Sequence, residues 1–214
     1  AAEPAPETQR RVIALRPGAR ETPEVVAIGS STGGPQALFR VGAALKGAVK
    51  QPIFITQHMP ATFTTILAEH LGRASGYPVA EGVDGERVQS GRIYVAPGDF
   101  HMTVEAERGD KVVRLLKTPP ENFCRPSVDP MLRSLARSYG GRVLTLILTG
   151  MGHDGLAGGR GVVEAGGTVI AQDEASSVVW GMPGAVAMAG LCSAVLPLDE
   201  IGGFLAKLAT RAGR

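Results

Sequence analysis

The stretch GSSTG, from Gly29 to Gly33, has the form G-x-S-x-G centred on Ser31 and directly follows the apolar run VVAI. A serine on such a strand-to-helix turn has its hydroxyl pushed outward as a nucleophile. Backbone N–H groups at the start of the next helix can hold a developing oxyanion. The hydroxyl is inert near neutral pH without a base in reach. His58 is a candidate base, because it follows the run IFIT in QHMPATFT and so stands at an equivalent strand end. The segment GMGHDGLAGG follows VLTLILT and offers His153 and Asp154. An acid at that place either caps the following helix or orients an imidazole. Asp99 after RIYVAPG and Asp173 after TVIAQ occupy comparable positions, and spacing does not choose among the three acids.

Plainer readings stand beside these. With 29 glycines in 214 residues, the first motif also describes a glycine-rich turn with serine as a helix cap. A phosphate cradle is disfavoured, since the loop lacks the P-loop lysine and the G-x-G-x-x-G spacing. His58, His101, His153 and Asp154 show no metal-ligand spacing, so no metal is expected. His70 falls within a helical pattern. In FCRPSVDP, from 123 to 130, Ser127 reads as a helix cap and Arg125 as a partner for a carboxylate. Trp180, the one tryptophan, either lines a cleft or fills the core.

The elements that must carry these residues follow from hydrophobic periodicity. Strands are predicted at 25–29, 53–57, 92–96, 101–105, 111–116, 143–148, 168–172 and 193–197, several of them apolar almost throughout, as strands buried on both faces are. Helices are predicted at 35–46, 61–72, 127–139, 155–165, 183–190 and 199–212. The alternation predicts an α/β fold, a mostly parallel doubly wound (Rossmann-like) sheet with helices on both faces. The stretch 92–116 has no room for a crossover helix, so its three strands are expected to form a short antiparallel insertion.

With 22 Lys and Arg against 20 Asp and Glu, the net charge is +2, and no basic cluster longer than Arg10–Arg11 favours nucleic acid. No apolar run is long enough to span a bilayer. Cys124 and Cys192 form no C-x-x-C motif or disulfide framework, which favours a reduced, cytoplasmic compartment. Residues 1–23 are rich in Pro, Ala, Glu and Arg and read as an interdomain linker, and residues 24–214 as the catalytic domain. A linker at the start predicts a further domain upstream.

VAIGSSTGGPQAL, ITQHMPATFT, CRPSVDP, LILTGMGHDGLAGG and AQDEASSVVWGMPGAV occur in this order and spacing. Together they resemble the catalytic domain of the chemotaxis protein-glutamate methylesterases, the CheB family, from about Val25 to about Ala206. The resemblance implies a Ser-His-Asp hydrolase with Ser31, His58 and Asp154 in the three roles and no metal or organic cofactor. Backbone N–H groups near Thr32 and Met151 would hold the oxyanion. The chain order Ser, His, Asp differs from that of α/β-hydrolases, so the shared elbow is read as convergence. Ser30, beside Ser31, is the competing nucleophile. The implied substrates are glutamyl methyl esters, and glutamines to be deamidated, on the cytoplasmic helices of a methylated chemoreceptor. The implied partner domain is a phosphoacceptor receiver upstream. The rival expectations are a methylesterase acting outside chemotaxis and a non-catalytic βα-loop binding module.

Overall fold

The structure, a computed structural model, describes residues 12–210. Its elements run β1 (Val25–Ser30), α1 (Gly34–Leu45), β2 (Ile53–Gln57), α2 (Phe63–Ser75), β3 (Val79–Glu81), β4 (Ile93–Val95), β5 (His101–Glu107) and β6 (Asp110–Leu116). They continue with α3 (Val128–Tyr139), β7 (Val143–Ile147), α4 (Leu156–Glu164), β8 (Thr168–Gln172), α5 (Met182–Met188), β9 (Cys192–Leu196) and α6 (Leu198–Ala209).

Seven strands form one sheet in the order β3-β4-β2-β1-β7-β8-β9, and every neighbouring pair is parallel. The alternation of side chains explains why the central strands are apolar on both faces. Val26, Ile28, Ile53, Ile55, Leu144 and Leu146 pack with α1, α2 and α6 through Leu38, Leu67 and Ile201. Their neighbours Val25, Ala27, Phe54, Val143 and Ile147 pack with α3, α4 and α5 through Met131, Val162 and Val186. The doubly wound α/β expectation is therefore met.

The chain leaves β1 toward β2 on one side and later resumes at β7 on the other. The strand order thus reverses between β1 and β7, and the carboxyl ends of such a pair open a crevice where α/β proteins bind ligands.

The expected insertion differs in one respect. β5 and β6 pair antiparallel as a separate ribbon, but β4 pairs in parallel with β2 and with β3 in the main sheet. The lack of a crossover between 96 and 101 keeps β4 from pairing in parallel with β5. It says nothing against pairing with β2, from which β4 is separated by α2. The ribbon covers part of α3's face through Met102, Val104 and Val113.

Part of the stretch read as a linker, residues 1–11, and the end of the last predicted helix, 211–212, lie outside the described residues. From 12 to 23 the chain has no helix or strand. It is tied to the sheet where Arg16 N–H donates to Cys192 O (3.0 Å) and Ala19 N–H to Thr168 Oγ1 (2.7 Å).

Candidate active site

Ser31 is the first residue beyond β1, and its backbone is held from three directions. Its N–H donates to Thr149 O beyond β7 (3.0 Å), and its carbonyl accepts from Gly34 N–H (2.7 Å) and from Gln57 Nε2 (2.9 Å). Thr149 is fixed in turn, donating its hydroxyl to Thr32 O and its N–H to Gln172 Oε1. A Cβ on Gly150 would lie 2.7 Å from Ser31 Cβ and 2.9 Å from Ser31 N. Only glycine allows the β7 loop to come this close. Ser30, by contrast, is fully buried and donates its hydroxyl to Gln57 Oε1 at 2.7 Å.

His58 stands beside Ser31 because Ser30 and Gln57 are register partners, which makes Ser31 and His58 the next residues on adjacent strands. Its backbone N–H donates to Ser30 O at 3.1 Å. The imidazole Nε2 lies 2.6 Å from Asp154 Oδ2, and Nδ1 lies 3.4 Å from Cys124 Sγ. A carboxylate on Nε2 requires that nitrogen to carry the proton, which leaves Nδ1 as the acceptor, the nitrogen a base would use. Among the described residues no hydrogen bond joins Ser31 to His58. The Cys124 thiol faces Nδ1 instead, and burial together with the charge of Asp154 pushes its pKa up, so it stays an S–H donor.

Asp154 is 1% exposed. Its carboxylate accepts from Val128 N–H (2.6 Å) and Asp129 N–H (3.0 Å) at the start of α3, from Ser127 Oγ (2.8 Å) and from Asn122 Nδ2 (2.9 Å). It therefore caps a helix that precedes it in sequence, where the helix dipole favours a negative charge. Burial pushes its pKa up, but the bonds from His58, Val128 and Ser127 outweigh that and hold it below the usual carboxylate range. Asp129 makes the reciprocal arrangement, accepting from Gly155 N–H (3.0 Å) and Gly158 N–H (2.7 Å) at the start of α4. The Asn122 amide donates to both acids, at 2.8 Å to Asp129 and 2.9 Å to Asp154.

A parallel α/β sheet thus carries a buried acid, an imidazole and a serine at its reversal point. The sequence model of the family described as CheB methylesterase matches residues 26–205. The chain belongs to this family. A protein-glutamate methylesterase/protein-glutamine glutaminase 1 of Paramagnetospirillum magneticum is 68% identical over 200 residues, 93% of this chain and 52% of the relative. A protein-glutamate methylesterase/protein-glutamine glutaminase of Azospirillum brasilense is 65% identical over 211 residues, 98% of this chain and 54% of the relative. The chain thus spans about half the length of these relatives. The crystal structure of the Thermotoga maritima CheB methylesterase catalytic domain matches with a TM-score of 0.85 at 42% identity, covering 88% of this chain and 100% of that one.

In this member of the family the three acids left open by spacing separate by environment. Asp99 binds Lys117 Nζ (2.9 Å) and the Arg125 guanidinium, which together lower its pKa. Asp173 accepts from Ser176 N–H and Oγ in its own turn. Of the three, Asp154 meets the imidazole.

The other histidines are placed as plainly. His101 is buried, with Nδ1 accepting from Ser127 N–H (3.1 Å) and Nε2 donating to Pro119 O (3.0 Å). His153 is exposed, and the His70 ring sits 6.2 Å from that of Phe39. Trp180 fixes the loop beside the site, donating Nε1–H to Gln172 O at 3.0 Å.

Asn122, Cys124 and Asp129 are contacts that sequence reasoning did not single out. They lie in or beside the block CRPSVDP, whose presence was the available signal.

Proposed function

We propose that this chain hydrolyses glutamyl methyl esters, and deamidates glutamines, on the cytoplasmic helices of a methylated chemoreceptor, with Ser31 as nucleophile, His58 as base and Asp154 as its orienting acid. The observation that carries this reading is the 2.6 Å contact from Asp154 Oδ2 to His58 Nε2, beside a serine one strand away. Adjacent strands lie about 4.8 Å apart, which sets Ser31 and His58 side by side, and the reading requires the Ser31 hydroxyl to take the place of the Cys124 thiol at Nδ1.

His58 then takes the Ser31 proton as Oγ attacks the ester carbonyl. The protonated ring, stabilised by Asp154, returns that proton to the departing methoxide, and methanol leaves. Water, deprotonated by the same imidazole, cleaves the acyl-serine to free glutamate and serine. For a glutamine substrate the leaving group is ammonia. The backbone N–H groups of Thr32 and Met151 are the proposed oxyanion donors. In support, neither donates a hydrogen bond among the described residues, and both residues are exposed beside Ser31.

A cytoplasmic location belongs to the same reading. Among the described residues no helix is long and apolar enough to cross a membrane. So does an upstream receiver domain, for which relatives about twice this length leave room.

The test is methanol release from a methylated receptor cytoplasmic fragment together with labelling by a serine-directed fluorophosphonate. Ser31→Ala is expected to lose both, the rate by ~10⁶ if the three residues act as a unit. Labelling that persists in Ser31→Ala would move the nucleophile to another serine, Ser30 first, and a parent chain that neither labels nor releases methanol would overturn the esterase reading in favour of a binding module.

A further inference from the structure

Glu121 and Cys124 close a tight turn by exchanging backbone hydrogen bonds of 3.1 and 2.9 Å. Its central residues, Asn122 and Phe123, have φ of 51° and 63°. Such turns take left-handed backbone at both positions, where asparagine is tolerated and glycine is the usual second residue. A phenylalanine there is strained, and this one is also fully exposed, at 101%.

The turn is anchored at each of its other residues. The Glu121 carboxylate takes two bonds from Arg133 Nη2 (2.7 and 2.9 Å), Asn122 bridges Asp129 and Asp154, and the Cys124 thiol lies 3.4 Å from His58 Nδ1. An aromatic ring is thus held out in water between one residue that touches the candidate acid and one that touches the candidate base. Two more exposed apolar side chains stand on the loops that flank Ser31. Met151 (67% exposed) follows Gly150, and Val178 (70% exposed) lies against Gly33. Exposed apolar side chains gathered on the loops of one site mark an interaction surface.

We propose that Phe123 is the substrate-anchoring residue of this site, its ring packing on the apolar side of the helix that carries the ester and so selecting a protein-borne glutamyl ester over a free one. This rests on the esterase reading above. The strain and the exposure bring no packing within the chain, and contact with a partner offsets both. The partner is a polypeptide on the esterase reading above, and because Asn122 and Cys124 bind the turn to Asp154 and His58, a chain that delivers an ester to this site comes against the turn that carries the ring. Residues one turn to either side of the ester share its face of the helix, and an apolar side chain at such a position comes within reach of the ring. Buried aromatic anchors carry much of the affinity in such contacts.

The experiment compares two substrates, a methylated receptor cytoplasmic helix fragment and a capped free glutamate γ-methyl ester. Phe123→Gly removes the ring while relieving the left-handed strain, so its melting temperature is expected to be no lower than the parent's. Its kcat/KM on the receptor fragment is expected to fall about ten-fold, mainly through KM, and to stay within two-fold on the free ester. Phe123→Trp is expected to restore most of the receptor activity. An unchanged receptor kcat/KM in Phe123→Gly would overturn the proposal. So would a parallel loss on both esters, which would make Phe123 a support of the turn. A parent chain active on the free ester alone would refute the polypeptide substrate, and one inactive on both would refute the esterase reading. The inference falls in either case.

Discussion

Ser30 and Ser31 are adjacent in sequence, and their surroundings decide between them. Ser30 is sealed against Gln57, whereas the Ser31 side chain is half-buried beside His58. Ser30→Ala is therefore expected to cost about 1 kcal/mol of stability and to keep turnover within ten-fold, the reverse of Ser31→Ala. Melting curves and methanol release on both variants check this, and an inactive Ser30→Ala beside an active Ser31→Ala would shift the elbow by one residue. Asp154 lends itself to a pH measurement. Its folded pKa is lowered, so its contribution to stability is present above the unfolded carboxyl value of about 3.9. That contribution is lost as pH falls through the lower folded value. Asp129, raised first by burial, has the opposite sign. Asp154→Asn is expected to flatten the acid side of the melting-temperature profile below about pH 4, and to lower kcat by about 10⁴ through the wrong imidazole tautomer. An unaltered acid slope would refute the ionised, helix-capping carboxylate. Spacing showed an acid at the end of β7 but could not choose it over Asp99 and Asp173, and only the family resemblance pointed to Asp154. The choice depends on amide groups of α3, some 25 residues earlier in the chain, and on the cations beside Asp99, which no local spacing reveals.

At the scale of elements, legibility followed burial. β1, β2, β7 and β8 are buried along their whole length and read as continuous apolar runs. β3, three residues at half burial on the sheet edge, left no periodic signal. β4 was found as a strand and placed with the wrong neighbours, because connection length limits which consecutive strands pair and is silent about the sheet to which each belongs. The element that most directly sets the site is the loop after β7, which approaches β1 until Gly150 touches Ser31. Gly150→Ala would put its methyl 2.5 Å from Met182 Sδ and 2.9 Å from the Ser31 backbone nitrogen. The sulfur can move and the backbone, bonded to Thr149 O, cannot without carrying Ser31 along. The expected outcome is a loss of 1–3 kcal/mol, roughly, and a fall in kcat of about 10² from misplacement of the nucleophile. The two are read by chemical denaturation and by turnover of the small ester. Full activity in a stable Gly150→Ala protein would show that the β7 loop does not position Ser31.

Across the whole molecule, the sheet separates two kinds of work. Ser31, His58 and Asp154 stand beyond the carboxyl ends of β1, β2 and β7, three adjacent strands at the centre of the sheet. The segment before β1 is tied to the opposite edge, because Thr168 and Cys192 are the first residues of β8 and β9. Ile13 adds a partly buried side chain to the cluster that α3, α4 and α5 share. The contacts of residues 13–19 make this segment part of the fold's support. One backbone hydrogen bond, one from a backbone N–H to a threonine hydroxyl and a partly buried isoleucine sum to about 2 kcal/mol, which for a chain of this size lowers the melting temperature by roughly 5 °C. A chain beginning at Glu21 is therefore expected to melt at a lower temperature and to hydrolyse the small ester within two-fold of the parent rate, since the bonds of Arg16 and Ala19 that it loses lie at the amino edge. Paired melting and ester-hydrolysis measurements decide the matter. Unchanged stability would return residues 12–20 to the status of a plain linker, and a large loss of kcat at temperatures well below melting would show that the two edges of the sheet are coupled.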